Sequence, residues 1–252
     1  MTTMEKLNET WNYCISIFGP ERCIALTLHG SQNYKCDLPE SDIDAKLIVA
    51  PTWNEIVQCA KPLSETIKGP YGDINVTDVR LFIGNNLYKQ NFNFLECLFT
   101  QYNCVNQDYI DLWEQLYKNR EAIAHYDPEA AVRTMMGQLE NQKRRWGKFD
   151  DTKTLYHIIR ISWAITQYVA GAPFEKTLVP CEEKLALIKE VRLGKVDKET
   201  MEIFFNKLYN EAHELAEPEN YKGPRYPNVY LDMDSLKERF VLRALYERGV
   251  NN

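Results

Sequence analysis

The sequence predicts an α+β protein, with a small sheet and flanking helices in its front half and an all-helical back half. Three observations carry this. The run Cys23-Ile24-Ala25-Leu26-Thr27-Leu28 is short, apolar and ends in a Gly-Ser turn. Ile43 to Ala50 alternates and then becomes apolar, so both segments read as buried strands. From about Asp108 onward the apolar positions recur almost wholly at helical spacing.

Taken in order, Leu7, Trp11, Cys14, Ile15 and Phe18 predict a helix over 5–18 ahead of the first strand. Thr52 to Ala60 reads as a short helix, and Pro62, Gly69-Pro70 and Gly72 mark a loop. Ile74 to Phe82 alternates in its first half and reads as a third strand, followed by a helical or mixed stretch over 85–101. Helices are expected over 108–122, 128–148, 152–170, 182–191, 198–216 and 234–248, punctuated by Pro128, Pro173, Pro180, Pro218, Pro224 and Pro227. Residues 217–230, with three prolines and a glycine, read as an extended connector. The change of pattern sets a front domain at 1–106 and a helical domain at 107–252, with a cleft expected at their junction.

Composition narrows the class. The 252 residues are 44% hydrophobic and 26% charged, as in a globular protein with a real core. No apolar stretch approaches ~20 residues, and the polar start from Met1 to Glu9 does not read as a secretory signal. Seven cysteines with no Cys-x-x-Cys pair predict buried thiols in a reducing cytoplasm. With no His-x-x-His spacing either, the chain lacks the pattern of a zinc site. A net charge of −6 argues against broad binding to nucleic acid, although Lys143-Arg144-Arg145 and Lys148 form one basic run. That run is also what the dipole favours at the end of a helix.

The chemistry concentrates between Gly30 and Asp44. Gly30-Ser31 closes the first strand, ten residues follow, and Asp42-Ile43-Asp44 opens the second. Residues two apart on a strand share a face, so Asp42 and Asp44 present two carboxylates side by side. Like charges so close call for a cation between them. Gly30 allows the backbone to approach a phosphate, and the Ser31 hydroxyl can donate to one. Together they predict a metal-dependent nucleotide site. His29 is expected to shape the turn.

The pattern Gly-Ser, ten residues, Asp-x-Asp resembles the signature of the nucleotidyltransferase superfamily that includes DNA polymerase beta. The wider stretch from Leu28 to Tyr34, with Pro39 and Ser41 to Asp44, is more similar to a group of predicted nucleotidyltransferases of bacteria and their viruses. Asp78 to Phe82, Asn91 to Asn93, Leu95-Glu96, Lys153, Tyr156-His157 and Arg160-Ile161 fit the same group, so the likeness covers roughly residues 22–171. It implies a small mixed-sheet nucleotidyltransferase domain followed by a helical domain that completes the cleft. It also implies Mg²⁺, with Mn²⁺ as substitute, and transfer of a nucleoside monophosphate, AMP from ATP foremost, with release of pyrophosphate. The acceptor is a protein side chain, an RNA end or a small molecule. Small antitoxin-type nucleotidyltransferases share the spacing, but this chain is far longer.

The resemblance places a third metal-binding acid at Asp78, in the pattern Asp78-x-Arg80-x-Phe82, with Asp73 as its competitor. The expected catalytic and metal set is therefore Asp42, Asp44 and Asp78. In the back half, Lys153, His157, Arg160, Ala164 and Gln167 recur at steps of three and four among apolar neighbours. This stripe is expected to line the cleft, with Lys153, His157 and Arg160 joining Gly30 and Ser31 in nucleotide binding. Tyr34, Trp146 and Tyr156 are candidates for stacking on a base, and core packing explains each as well. A nucleotide- or RNA-binding sensor without turnover is the alternative function, and a lost carboxylate would be its mark.

Overall fold

Helix α1 (Thr3–Phe18) begins at a capping box, in which the Thr2 hydroxyl accepts from Glu5 N–H and the Glu5 carboxylate from Thr2 N–H. The computed structural model describes residues 1–149 and 151–249. The sheet contains β1 (Cys23–His29), β2 (Asp44–Val49), β3 (Ser64–Lys68), β4 (Asp73–Asp78) and β5 (Asn103–Val105), in the order β3-β4-β2-β1-β5. β2 and β4 run parallel and the other neighbours antiparallel, so the sheet is mixed. Helix α2 (Trp53–Val57) follows β2 and is shorter than the expected 52–60.

Both faces of the sheet are covered. Leu7 and Cys14 of α1 pack on Leu26, Ala45, Leu47, Val49, Ile74 and Val76. Ile24 and Ile48 on the other face begin a core that runs through Phe82, Phe92, Ile158, Ile165 and Phe174 to Phe240. This core is continuous across residue 107.

The third strand stops short of the expected 74–82. Asp78 ends β4 and caps α3 (Val79–Leu81), which passes into a π-helical turn over Phe82–Leu87. Strand β3 occupies part of the stretch read as loop. After α4 (Phe92–Leu95) and β5, the chain is helical: α5 (Ile110–Lys118), α6 (Arg120–Ala124), α7 (Pro128–Arg145), α8 (Asp151–Val169), α9 (Phe174–Leu178), α10 (Glu182–Arg192), α11 (Lys198–Leu215) and α12 (Val229–Gly249). α8 is the hub of this half, packed by α7, α9, α10 and α11, while α12 returns to rest on α3 and the π-helical turn. Among the described residues, no helix is long and apolar enough to cross a membrane.

Candidate active site

The turn after β1 is built on a buried carboxylate. Glu96 is fully buried, and its oxygens accept from His29 Nδ1, Tyr34 OH, the Gly30 N–H at 3.3 Å and Asn33 Nδ2 at 3.4 Å. Burial opposes its ionisation, but His29, Lys46 and Tyr34 outweigh burial and hold the pKa at about 2. Glu96 is thus a fixed anion that grips the turn from below. Gly30 has φ +98°, which favours glycine, and a Cβ there would stand 3.9 Å from Asp44 Oδ2. The internal bonds of the turn use the N–H groups of Asn33, Tyr34, Lys35 and Cys36, leaving those of Ser31 and Gln32 outside the set.

Strand register sets the acids. His29 pairs with Asp44 across β1–β2, and Ala45 with Ile74 across β2–β4. Asp44 Oδ1 accepts from Asp73 N–H at 3.0 Å. Gly72 makes that approach feasible, since a Cβ on it would lie 2.6 Å from Ile43 O and 3.0 Å from Asp44 Oδ1. One oxygen of Asp44 is therefore held by the first residue of β4 and the other faces the Gly30 turn. Asp42 lies two residues earlier, before the strand proper, and the Gln32 side chain donates to its carbonyl at 2.7 Å.

A cavity of about 580 Å³ joins these residues to the helical half. One wall carries His29, Gly30, Ser31, Glu40, Asp42 and Asp44, and the other carries Gln138, Asn141, Gln142 and Arg145 of α7, Lys153, Tyr156, His157 and Arg160 of α8, and Arg192 of α10. Gly30, Ser31, Asp42, Asp44, Lys153, His157 and Arg160 are all brought together here. Tyr34 and Tyr156 line the same space, whereas Trp146 packs on Phe205 with ring centroids 4.5 Å apart.

Asp78 is not with them. It pairs with Val49 at the far end of β2, five residues or roughly 16 Å from Asp44. Its oxygens are taken by Arg80, at 2.9 Å to Nε and 2.6 Å to Nη2, and by the Arg80 N–H at 2.8 Å. The expected third acid is a helix cap and ion-pair partner instead. A sequence spacing cannot tell the first residue of a strand from the last. Asp73, the competitor, begins β4 beside Asp44, with its carboxylate 2.6 Å from Lys68 Nζ.

The opposite wall is cationic. Arg160 is 5% exposed and stacks 4.2 Å over the Tyr34 ring, yet its Nε and Nη1 have no hydrogen-bond partner among the described residues. Burial, with Arg160, Lys153, Arg145 and Arg192 around it, drives His157 down to about 3, so this imidazole is neutral near pH 7. Arg192 ties α10 to the motif loop by donating to Cys36 O and, at 3.4 Å, to Ser41 Oγ.

Arg145, Arg192 and Glu96 have roles at this site that sequence reasoning did not assign. Arg145 belongs to the basic run, whose other members Lys143, Arg144 and Lys148 are exposed. The signal was present but matched an ordinary helix end equally well.

The residues on the acidic wall fit a magnesium ion. Asp42 and Asp44 are hard oxygen donors at one cavity wall, of the kind Mg²⁺ takes together with water and phosphate oxygens. Among the described residues, no group of three or more His, Cys, Asp or Glu is gathered that would hold a metal without such help. No protein-family model matches the chain, and no curated protein matches it.

Proposed function

We propose that this chain is a metal-dependent nucleotidyltransferase that moves a nucleoside monophosphate, AMP from ATP foremost, onto a protein, RNA or small-molecule acceptor. One observation carries the reading. Asp42, Asp44 and the Gly30-Ser31 turn form one wall of a single cavity, and Arg145, Lys153, Arg160 and Arg192 stand on the other. A nucleoside triphosphate needs both walls, carboxylates for its cation and donors for its phosphates.

Asp42 and Asp44 are the residues that would hold Mg²⁺. When bound, the ion neutralises charge on the attacking and leaving oxygens at the α-phosphate. Ser31 donates its hydroxyl to the triphosphate, and the N–H groups of Ser31 and Gln32 are placed to do the same. Arg160, with unpartnered nitrogens already desolvated, pairs with phosphate oxygens without first breaking protein hydrogen bonds. Lys153 and Arg145 stabilise the charge that builds on departing pyrophosphate. His157, neutral and enclosed by cations, serves as a hydrogen-bonding group rather than a charge.

A nucleotide- or RNA-binding sensor on the same scaffold is the second reading, favoured by the lack of a third gathered ligand among the described residues. Mass spectrometry of the chain incubated with cell extract, Mg²⁺ or Mn²⁺ and each nucleoside triphosphate separates the two. Transfer gives an acceptor heavier by one nucleoside monophosphate, together with pyrophosphate. Saturable nucleotide binding with no such product in any mixture replaces the enzyme by the sensor.

A further inference from the structure

We infer that the face of α7 lining this cavity is a nucleobase subsite, and that Gln142 selects adenine. The inference rests on the nucleotidyltransferase reading and names the part of the substrate that reading leaves open. Gln138, Asn141, Gln142 and Arg145 all line the cavity and recur at steps of three and four, so they form one stripe of α7. Three of the four are neutral amides. Amides add little to the binding of a polyanion, but they offer a donor and an acceptor side by side to the edge of a base.

Two buried atoms of this stripe are not satisfied by the described residues. Gln142 is 9% exposed, and its Oε1 is buried without a hydrogen-bond partner among the described residues, as is Arg145 Nε. Buried polar atoms are normally paired, and leaving one unpaired is costly, so a group that arrives with a ligand accounts for both. The carbonyl oxygen needs a donor. Arg145 stands with Lys153, Arg160 and Arg192 around His157 and belongs with the phosphates, which leaves the amides for the base. Adenine presents an amino donor beside a ring-nitrogen acceptor, and an amide pairs with both at once. Guanine and uracil place a carbonyl oxygen where that amino group would be. Cytosine keeps the amino group on a smaller ring and is the nearest competitor.

The test is calorimetric binding of ATP, CTP, GTP and inorganic triphosphate, each with Mg²⁺, to the full chain and to its Gln142→Met and Gln142→Leu variants. The unfolding midpoint of each variant reports whether it is folded, and inorganic triphosphate, having no base, is the reference ligand. ATP is expected to bind roughly ten-fold or more tightly than GTP to the unaltered chain. Both variants are expected to bring that ratio to within about two-fold, through weaker ATP binding. GTP binding as tight as ATP in the unaltered chain, or an unchanged ratio in either folded variant, overturns the subsite and leaves the nucleotidyltransferase reading standing. If none of the four ligands binds, both fall.

Discussion

Asp44 and Asp78 stand at opposite ends of one parallel strand pair: Asp44 opens β2, and Asp78 lies opposite Val49, which closes it. The two acids therefore have different work. Asp78 is buried, caps α3 and forms a two-pronged ion pair with Arg80. Asp78→Ala leaves Arg80 uncompensated and α3 uncapped. The expected loss is about 3 kcal/mol of stability in urea denaturation, with transfer activity per folded molecule unchanged. Activity abolished in a variant of native stability would return Asp78 to the catalytic set.

Asp44→Asn is expected to do the opposite. Asparagine keeps an oxygen for the Asp73 N–H, so the urea midpoint should stay close to that of the unaltered chain. Nucleotide transfer should fall by several orders of magnitude, because the charge proposed to bind the metal is gone. A folded Asp44→Asn chain that transfers at an undiminished rate contradicts the assignment.

The two wall cations should show in binding rather than in folding. Arg160→Met keeps an unbranched side chain of similar length, gives up the guanidinium stacking on Tyr34 and removes a buried charge with nitrogens unpartnered among the described residues. Nucleotide KM is expected to rise by about ten-fold or more, with little loss of unfolding midpoint. Lys153→Ala, at an exposed position, should raise KM more mildly. If either change lowers stability while KM stays put, the cations are scaffold.

Two groups give the chain a signed response to acid. His157 is held at about 3, below the ~6.5 of an unfolded histidine, so the unfolded chain binds the proton first. Stability is thus lost as pH falls from about 6.5 toward 3. Glu96, held at about 2 against an unfolded value near 4.3, adds a further loss as pH falls below about 4.5. Melting curves should show His157→Gln flattening the upper part of this decline and Glu96→Gln the lower part. Identical profiles for all three chains would remove both groups from the account.

The strands and helices that bury a continuous or periodic apolar face were legible in the sequence. Cys23–His29, Asp44–Val49 and the long helices α7, α8 and α11 fall close to their expected bounds. Ser64–Lys68 was not, because it is an edge strand with mostly exposed polar residues and carries no apolar alternation. Asn103–Val105 is too short to leave a pattern. The motif turn and the α8 stripe were readable because each is a local spacing. Arg192 was not, since only the packing of α10 against α8 and its bonds to the 36–41 loop bring it there. Glu96 stood out only as part of a likeness, and its grip on His29, Gly30, Asn33 and Tyr34 is a tertiary fact.

This cavity is proposed to transfer the nucleoside monophosphate of a nucleoside triphosphate with the help of a metal held by Asp42 and Asp44. Paired reactions with α-labelled and γ-labelled ATP, Mg²⁺ and cell extract test it most directly. The account predicts label in an acceptor from the α-labelled nucleotide only, and none with Asp44→Asn or after metal chelation. Label retained from the γ position, or equal transfer by folded Asp44→Asn, would contradict it.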